Sequence, residues 1–468
     1  MVCGTASDVG KSVVVAGLCR VLMRRGVSVA PFKAQNMSLN SAVTIDDAEI
    51  GRAQALQAVA AGIDAEAIMN PILLKPTSDR ASQVVVLGRP VDELDAAAYQ
   101  ARTASLWDVV LESFAQLRSR FDVVLLEGAG GAAEINLLDR DLVNLPLARR
   151  VGAPAIVVGD IDRGGVFASL FGTVALLPDE LRSCVRGFVV NKFRGDLGLL
   201  GNATVDLERR CGVPTLGVLP HIGDAAIDAE DSLALERPPP VRPDASVDVA
   251  VVRFPHISNF TDFDPLLHER DVRVRYVTEA SHLGRPDLVV LPGTKATVHD
   301  LAWLRERCLD HAIAGSGARV LGICGGYQML GTVIVDDIES GAGRVAGLGW
   351  LDVDTQFGSE KVTTRRRGSA NGYVVTGYEI HHGRTSRGRS TMPWLVLNGE
   401  DEGATDGARL YGTSLHGLFE ADEFRAAFLG LAGPTWSFAA AREQQLDRMA
   451  DLLEAHLDLA AVERLIES

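Results

Sequence analysis

The chain has 468 residues, of which 47% are hydrophobic and 23% charged. This length is too great for one compact core and predicts two to three domains, with two as the working number. Acidic residues outnumber basic ones by 61 to 46, and the net charge of −15 argues against nucleic acid or an anionic membrane as a general partner. The six cysteines lack CxxC spacing, and no leader or apolar run of about 20 residues appears, so we expect a reduced, cytoplasmic protein without a zinc site, disulfide framework or membrane segment.

Short β-branched runs alternate with helical stretches in the first half of the chain. The runs at 123–126, 155–158 and 187–190 and the helical stretch 102–121 are examples. This alternation predicts parallel strands joined by helical crossovers. Prolines then interrupt the pattern at 235–246, because they remove backbone donors and fix φ, and we predict a linker there.

The same alternation resumes after the linker and predicts a second α/β unit. At the end of the chain, apolar side chains spaced along 439–466 predict one amphipathic helix that covers a core. The sequence therefore predicts an α/β protein of two domains. The predicted divisions are a nucleotide-binding domain at 1–234, the linker at 235–246, a second domain at 247–438 and a carboxy-terminal helix at 439–468.

A glycine-rich loop opens the chain, with the sequence Gly4-Thr5-Ala-Ser-Asp-Val-Gly10-Lys11-Ser12. Backbone N–H groups of such a loop bind phosphate oxygens, while the lysine adds a positive charge and the serine a ligand for Mg²⁺. We therefore predict nucleotide contacts at Thr5, Gly10, Lys11 and Ser12. The spacing is one residue longer than the common phosphate-binding loop and resembles dethiobiotin synthetase and its relatives. A tight turn without a ligand is the alternative, which the adjacent lysine and serine disfavour.

Two further side chains complete the predicted nucleotide site. Glu127 ends the strand 123–126, where a carboxylate can hold Mg²⁺ beside bound phosphate; a plain loop carboxylate is the alternative. Asn191 follows the strand 187–190, and its amide could pair with a purine edge or be a polar strand end. Only three residues precede Gly4, so we expect either a clipped first strand or an upstream start of translation.

A cysteine on a glycine-flanked turn dominates the second half of the chain. Cys324 follows an apolar run and precedes Gly325 and Gly326. A strand-to-helix turn of this kind lowers the pKa of a thiol, and the N–H after the nucleophile can donate to an oxyanion. We predict Cys324 as the nucleophile and His416, about ninety residues downstream, as its base, whereas an inert core thiol and a polar core histidine are the alternatives. Gly293 is predicted to belong to a second oxyanion loop.

A thiol hydrolase and a nucleotide site in one chain predict an amide synthesis fed by glutamine and driven by ATP. The adjacent histidines His381 and His382 are not predicted to share a metal, because neighbouring residues on a strand face opposite ways. Glutamine or oxyanion contacts are predicted at Gly293, Gly325 and Gln328.

Over essentially its whole length the chain resembles the adenosylcobyric acid synthase (glutamine-hydrolysing) family. The resemblance rests on the phosphate loop, the Cys324 turn and further blocks along the chain. These blocks are Lys33-Ala-Gln-Asn-Met37, Glu49-Ile-Gly-Arg-Ala-Gln54, Asn70-Pro-Ile-Leu-Leu-Lys-Pro76, Gly159-Asp-Ile-Asp-Arg-Gly-Gly165, Asn191-Lys-Phe-Arg-Gly-Asp196, Pro255-His-Ile-Ser-Asn-Phe-Thr-Asp262, Leu291-Pro-Gly-Thr-Lys295, Gly377-Tyr-Glu-Ile-His381 and Tyr411-Gly-Thr-Ser-Leu-His-Gly-Leu-Phe419.

This resemblance implies a dethiobiotin-synthetase-like parallel sheet followed by a class I glutamine amidotransferase-like domain. It implies that ammonia released from glutamine at Cys324 and His416 amidates carboxylates that ATP and Mg²⁺ activate. In that family the acceptor is a corrinoid, adenosylcobyrinic acid a,c-diamide, amidated at its b, d, e and g carboxylates. Under this reading Lys33, Gln35 and Asn36 are predicted acceptor contacts, at a strand end of the first half.

Many related amidotransferases carry a glutamate two residues after the catalytic histidine, but here that position is Leu418. The acid that orients His416 therefore stays open between Glu420, Glu379 and no acid at all. The alternative functions are a cobyrinic acid a,c-diamide synthase and, more remotely, a ParA-like nucleotide switch. The sequence leaves open the order of the amidations, the route of ammonia, the need for the adenosyl ligand and the oligomeric state.

Overall fold

The computed structural model describes residues 1–77, 81–95, 99, 103–222 and 242–467. Contacts divide the described chain into two units, the first made of residues 1–38, 50–222 and 442–467 and the second of residues 39–49 and 242–441. Each half of the sequence therefore contributes a segment to the other unit. Most of the predicted linker, residues 235–241, lies outside the described residues. Within the described ranges no helix is both long enough and apolar enough to cross a membrane.

Twelve strands and seven α-helices are described in the amino-terminal half. The strands are β1 (Val2–Gly4), β2 (Val29–Phe32), β3 (Gln35–Met37), β4 (Ser41–Val43), β5 (Glu49–Gly51), β6 (Ile72–Pro76), β7 (Ala81–Val86), β8 (Arg89–Asp95), β9 (Val123–Leu126), β10 (Ala155–Asp160), β11 (Val185–Phe193) and β12 (Thr215–Pro220). The helices are α1 (Lys11–Arg24), α2 (Arg52–Ala60), α3 (Thr103–Arg118), α4 (Leu145–Val151), α5 (Val166–Leu176), α6 (Asp179–Arg182) and α7 (Ala203–Cys211).

The main sheet of the first unit is parallel, as the alternating pattern predicts. Strands β1, β10, β11 and β12 lie side by side in that order, and β2 pairs with β9. A parallel bridge between Val2 and Glu127 joins β1 to the end of β9. Strand β10 is buried along its whole length, because helices cover both faces of a sheet of this kind. The phosphate loop leaves β1 at the carboxyl edge, where Glu127 also lies. A smaller sheet contains β3, β6, β7 and β8.

In the described part of the carboxy-terminal half there are twelve strands and seven α-helices. The strands are β13 (Val247–Val252), β14 (Val272–Val277), β15 (Leu288–Leu291), β16 (Arg319–Ile323), β17 (Val333–Asp336), β18 (Gly343–Ala346), β19 (Val353–Ala370), β20 (Tyr373–Arg387), β21 (Leu395–Leu397), β22 (Glu400–Glu402), β23 (Ala404–Thr405) and β24 (Leu410–Thr413). The helices are α8 (Asp264–His268), α9 (Thr297–Glu306), α10 (Leu309–Ser316), α11 (Gly325–Leu330), α12 (Asp422–Leu429), α13 (Phe438–His456) and α14 (Leu459–Glu467).

A second parallel sheet forms the centre of the second unit, in the order β14-β13-β15-β16-β24 with β23 antiparallel at the edge. Its strands are rich in valine and leucine, and β15 is buried at every position. A further sheet is built around the long hairpin of β19 and β20. Strands β16 and β24 are neighbours, so Cys324 after one and His416 after the other come to the same sheet edge.

The carboxy-terminal segment forms two helices, α13 and α14, where the sequence predicts one. The break follows from pairing with β12, since Leu457 bridges Gly217 and the N–H of Asp458 donates to the carbonyl of Leu216 at 2.7 Å. Asp458 then caps the second helix through the N–H of Ala461 at 2.9 Å. The predicted apolar face covers the core of the first unit, with Leu446, Met449, Leu453 and Leu457 all buried.

Candidate active site

Cys324 lies on a sharp turn between β16 and α11. Its φ of 51° and ψ of −111° form a strained conformation that residues with a side chain rarely adopt. The turn is tightly packed, because a Cβ on Gly326 would lie 1.9 Å from the carbonyl oxygen of Leu291. The thiol is buried, and its Sγ lies 3.7 Å from the carbonyl oxygen of Ile380. The backbone therefore presents Cys324 at the sheet edge in the manner of a nucleophile.

The imidazole of His416 is fully buried and is oriented from several sides. Its Nδ1 lies 2.7 Å from Oδ2 of Asp262, whose other oxygen accepts the N–H of Gly417 at 2.9 Å. The ring stacks on Tyr378 with the ring centroids 5.3 Å apart. The backbone N–H of His416 also donates to the carbonyl of Tyr378 at 2.8 Å. The imidazole is therefore held with Nδ1 in contact with Asp262 and with Nε2 on the opposite side of the ring.

Asp262 is the acid that sequence reasoning did not assign. Glu379, one of the two acids considered, accepts a hydrogen bond from Arg366 at 3.2 Å, whereas Asp262 lies at His416 Nδ1. Asp262 precedes His416 by 154 positions, so no local spacing points to it. The only available signal was its place at the end of the block Pro255–Asp262, which was noted for resemblance alone.

The charges of the thiol and the imidazole depend on each other. Burial works to lower the pKa of His416, but the carboxylate of Asp262 and the Cys324 thiol outweigh it and raise this pKa to about 10. Burial would raise the pKa of Cys324, yet His416 and His381 hold it below its ordinary value. The two shifts together favour a thiolate beside an imidazolium, the reactive form of such a pair.

Two of the predicted oxyanion residues, Gly293 and Gly325, lie beside this pair. A Cβ on Gly293 would lie 2.9 Å from Cε1 of His416, so only glycine fits there. The N–H of Gly326 donates to the carbonyl of Pro292 at 3.1 Å and ties the turn that contains Gly325 to the loop that contains Gly293. Gln328 is buried, and its Oε1 accepts the hydroxyl of Thr297 at 3.2 Å.

A cavity of about 220 Å³ opens in the second unit, with His381 in its wall. It is lined by charged and polar side chains of both signs, including Tyr327, Arg366, Glu379, His381, Arg387 and Glu402. Burial would raise the pKa of Glu379, but His381 and Arg366 hold it below its ordinary value, so this acid is charged. Burial would lower the pKa of His381, but Glu379 and Cys324 raise it, so the cavity wall interacts electrostatically with the thiol. Sequence reasoning considered His381 only as part of a metal pair.

The phosphate loop of the first unit has the backbone that its glycines predict. Gly10 has a φ of 99°, and α1 begins at the next residue, Lys11. The ammonium of Lys11 donates to the carbonyl oxygens of Ala6 at 2.9 Å and Gly130 at 3.1 Å, and so lies over the loop. Thr5 is held through its N–H, which donates to Val158 at 3.0 Å.

Asn191 lies beneath this loop. Its amide donates to the carbonyl of Val9 at 2.9 Å, and a Cβ on Gly10 would lie 2.1 Å from the same nitrogen. The observed contacts of Asn191 therefore support the loop, and the purine contact predicted from the sequence stays a prediction.

Glu127 is the centre of a buried polar network at the same sheet edge. Its Oε1 accepts the hydroxyl of Ser12 at 2.8 Å and the ammonium of Lys33 at 3.0 Å, while Oε2 accepts the amide of Gln57 at 2.5 Å. Burial would raise the pKa of Glu127, but Lys33, Gln57 and Ser12 hold it below its ordinary value. Oxygen donors of this kind fit Mg²⁺, so Ser12 and the charged Glu127 suit the predicted metal role. Gln57 was not predicted, because α2 brings it to Glu127 only in the fold.

The three predicted acceptor contacts have different surroundings. Lys33 is buried and pairs with Glu127, the predicted Mg²⁺ ligand. Gln35 accepts the hydroxyl of Tyr99 at 2.5 Å. Asn36 is buried and donates to Gln54 at 3.1 Å.

The two units match two known domain families. The family described as "CobQ/CobB/MinD/ParA nucleotide binding domain" matches residues 1–232, and the "CobB/CobQ-like glutamine amidotransferase domain" matches residues 248–424. The chain thus joins a nucleotide-binding domain to a glutamine amidotransferase domain, which defines a glutamine-hydrolysing, amide-forming ligase. One solved structure, "Crystal structure of glutamine amidotransferase", covers 39% of this chain and 96% of its own at 16% identity, with a TM-score of 0.32.

Curated relatives extend along the whole chain. Proteins named cobyric acid synthase from Rhodococcus jostii and Streptomyces coelicolor are each 52% identical, covering 100% of this chain and 95% and 96% of their own lengths. The protein of the same name from Citrobacter koseri is 46% identical over 100% of this chain and 98% of its own. The chain belongs to the cobyric acid synthase family.

Proposed function

We propose that this protein uses ATP and glutamine to amidate the b, d, e and g carboxylates of adenosylcobyrinic acid a,c-diamide, giving adenosylcobyric acid. The observation that carries the proposal is the buried arrangement of Cys324, His416 and Asp262 in a chain that also holds a phosphate loop. Relatives named cobyric acid synthase along the full length support the corrinoid as the acceptor.

The thiol site suits the release of ammonia from glutamine. The Cys324 thiolate attacks the carboxamide carbon, and the resulting oxyanion accepts hydrogen bonds from the N–H of Gly325 and from the loop of Gly293. The imidazolium of His416 donates its proton to the departing nitrogen, which leaves as ammonia with an acyl-enzyme thioester behind. Water, deprotonated by the now neutral His416, then attacks the thioester and releases glutamate and the thiolate.

The cavity that His381 lines has the chemistry of an amino-acid site. Free glutamine carries one ammonium and one carboxylate, and the cavity offers the charged Glu379 for the first and Arg366 and Arg387 for the second. Its volume of about 220 Å³ is large enough for one small zwitterion. We propose that this cavity binds the substrate glutamine.

The phosphate loop would serve the second half of the reaction. A carboxylate is a poor electrophile, but transfer of the terminal phosphoryl group of ATP to its oxygen gives an acyl phosphate with a good leaving group. Ammonia attacks this carbonyl carbon and expels phosphate. Lys11 would move from the loop carbonyls to the phosphates. Ser12 and Glu127 would hold Mg²⁺, which supplies charge neutralisation at the phosphates.

The proposal is tested with purified protein, ATP, Mg²⁺, adenosylcobyrinic acid a,c-diamide and either glutamine or ammonium. We expect four successive decreases of about one mass unit in the corrinoid, one for each hydroxyl group replaced by an amino group. Cys324→Ser should lose the reaction with glutamine and keep it with ammonium. An unchanged corrinoid with a folded protein would refute the proposal, and amidation of cobyrinic acid at positions a and c would establish the diamide synthase instead.

A further inference from the structure

A short hairpin from the amino-terminal half of the sequence belongs to the second unit. Residues Leu39–Glu49 group with the thiol site, although the residues on either side of them group with the nucleotide site. The hairpin is formed by β4 and the start of β5, and Glu49 is fully buried and pairs with Lys361 at 2.5 Å. A buried ion pair of this kind is costly to break from one side, so the hairpin is firmly seated.

The same hairpin forms two hydrogen bonds with Asn259. The N–H of Ser41 donates to Oδ1 of Asn259 at 2.8 Å, and the N–H of Asn259 donates to the carbonyl of Leu39 at 3.4 Å. One position further, the N–H of Phe260 donates to Oδ1 of Asn40 at 3.1 Å. Asn40, Ser41 and Asn259 are all buried, so these bonds form away from water, where they are strongest.

Asn259 in turn faces the predicted catalytic base. Its Nδ2 lies 3.3 Å from Nε2 of His416. Because the Ser41 N–H can only donate, the amide atom that it contacts is the oxygen, and the NH₂ group is the one that points at the imidazole. An NH₂ group can only donate, so this contact is a hydrogen bond when His416 is neutral and Nε2 accepts, whereas in the imidazolium two donors face each other. The neutral case fits the tautomer in which Nδ1 carries the proton toward Asp262.

The backbone conformation of Asn259 also suits an asparagine at this position. Its φ of 51° and ψ of 39° lie in the left-handed region, which asparagine tolerates better than most residues with a side chain. The side chain is therefore aimed at His416 by a left-handed turn on one side and by the hairpin on the other.

We propose that Asn259 is a positioning residue for His416 and that the Leu39–Glu49 hairpin holds it in place, so that a segment of the nucleotide-binding half sets the rate of glutamine hydrolysis. The proposal rests on the proposed function of the thiol site. The segments on both sides of the hairpin contribute side chains to the proposed nucleotide site. Lys33 precedes the hairpin and Gln57 follows it, and both donate hydrogen bonds to Glu127.

The physical effect of Asn259 is on the proton at Nε2. The titratable groups that face His416 among the described residues are Asp262, Cys324 and Tyr378. Asp262 favours the imidazolium, whereas the NH₂ group of Asn259 disfavours protonation of Nε2. Asn259 thus keeps the base able to give up and take back its proton during turnover.

The test compares Asn259→Gly with Asn259→Asp. Glycine accepts the left-handed backbone and removes only the amide, while aspartate can still accept from Ser41 but presents an oxygen to Nε2. Asn371→Gly is the matched control, because Asn371 has nearly the same φ of 49° and is exposed in a turn of the second unit. Asn40→Ala loosens the hairpin without touching His416.

Glutamine-dependent and ammonium-dependent amidation are measured for each protein across pH. For Asn259→Gly we expect kcat with glutamine to fall about 10- to 100-fold, with KM within about threefold and the ammonium reaction unchanged. In Asn259→Gly the alkaline limb of the pH–rate profile for the glutamine reaction should move to higher pH. In Asn259→Asp it should move further. Asn40→Ala should show a smaller loss of the same kind, and Asn371→Gly none.

A folded Asn259→Gly protein with wild-type kcat and an unmoved alkaline limb would overturn the proposal. Equal losses with glutamine and ammonium would also overturn it, since they would indicate a general structural defect. Wild-type activity in Asn40→Ala would remove the role of the hairpin. Failure of the proposed function itself is separate, because it would appear as a wild-type protein without glutamine-dependent amidation.

Discussion

Replacing Asp262 with asparagine tests the orientation and charge of His416 most directly. Asparagine keeps the size of the side chain and removes its charge. At the observed 2.7 Å and an effective dielectric constant of about 20, the attraction between carboxylate and imidazolium is about 6 kcal/mol. The rise in the pKa of His416 from 6.5 to about 10, to which Asp262 contributes more than Cys324, corresponds to about 5 kcal/mol in total. If structural relaxation recovers half of this interaction free energy, about 3 kcal/mol of stabilisation of the imidazolium is lost. That loss corresponds to a decrease of roughly a hundredfold in kcat/KM for glutamine.

The pH dependence supplies a second readout for Asp262→Asn. In the wild-type protein the raised pKa keeps His416 protonated until the pH approaches about 10, so the thiolate–imidazolium pair persists over neutral pH. Without the carboxylate, only Cys324 still opposes the effect of burial, so the pKa of His416 should fall and the alkaline limb should move to lower pH. Steady-state glutamate release measured between pH 5 and about 10 would detect the shift.

The control for this experiment is Asp354→Asn, an equal change of charge at an exposed strand position of the same unit. It should leave both kcat/KM and the pH profile unchanged. A folded Asp262→Asn protein with kcat/KM within about threefold of wild type and an unmoved alkaline limb would refute the assigned role of Asp262.

Three further changes probe the nucleotide site, the catalytic turn and the core. Glu127→Gln removes the charge that Ser12 contacts and should lower amidation with glutamine and with ammonium alike, roughly a hundredfold or more, while glutamine hydrolysis survives. Gly326→Ala places a Cβ 1.9 Å from a backbone oxygen and should cost at least about 3 kcal/mol of stability, measured by thermal unfolding. Leu453→Ala leaves a cavity in the first unit and should cost about 2–5 kcal/mol, measured by urea unfolding.

Each of these changes has a matched control. The exposed Glu208→Gln should not affect amidation. Gly172→Ala lies in α5 with nothing within 4 Å of the added Cβ and should be neutral or stabilising by about 1 kcal/mol. Leu199→Ala, at a side chain 83% exposed, should leave the urea midpoint unchanged. Amidation by Glu127→Gln at the wild-type rate, or a Gly326→Ala or Leu453→Ala protein as stable as its control, would contradict the corresponding prediction.

Some features of this protein could be predicted because their signals are local. The phosphate loop and the Cys324 turn are runs of neighbouring residues whose glycines are required by nearby backbone, as at Gly10 and Gly326. The parallel strands follow from short buried runs of β-branched residues, which alternate with helices along the chain. Position after a strand was enough to predict that Glu127 lies at the same sheet edge as the phosphate loop, because the carboxyl ends of parallel strands share one edge.

Other features had no local signal. The single helix predicted at the end of the chain is two helices, because Leu457 and Asp458 pair with β12 of the same unit. Gln57 reaches Glu127 only because α2 packs beside that strand end. Lys33 contacts Glu127, a pairing that strand position alone does not reveal, and its predicted contact with the acceptor stays a prediction.

The sequence by itself was enough to predict the chemistry of this protein: a thiol and a histidine for amide hydrolysis, and a phosphate loop with its serine and acid for a nucleotide. Only the tertiary structure decided how the histidine is oriented. Asp262 and Asn259 lie more than 150 positions before His416 and meet it through packing of distant segments. Such contacts depend on how the whole chain folds, so spacing along the sequence cannot reveal them.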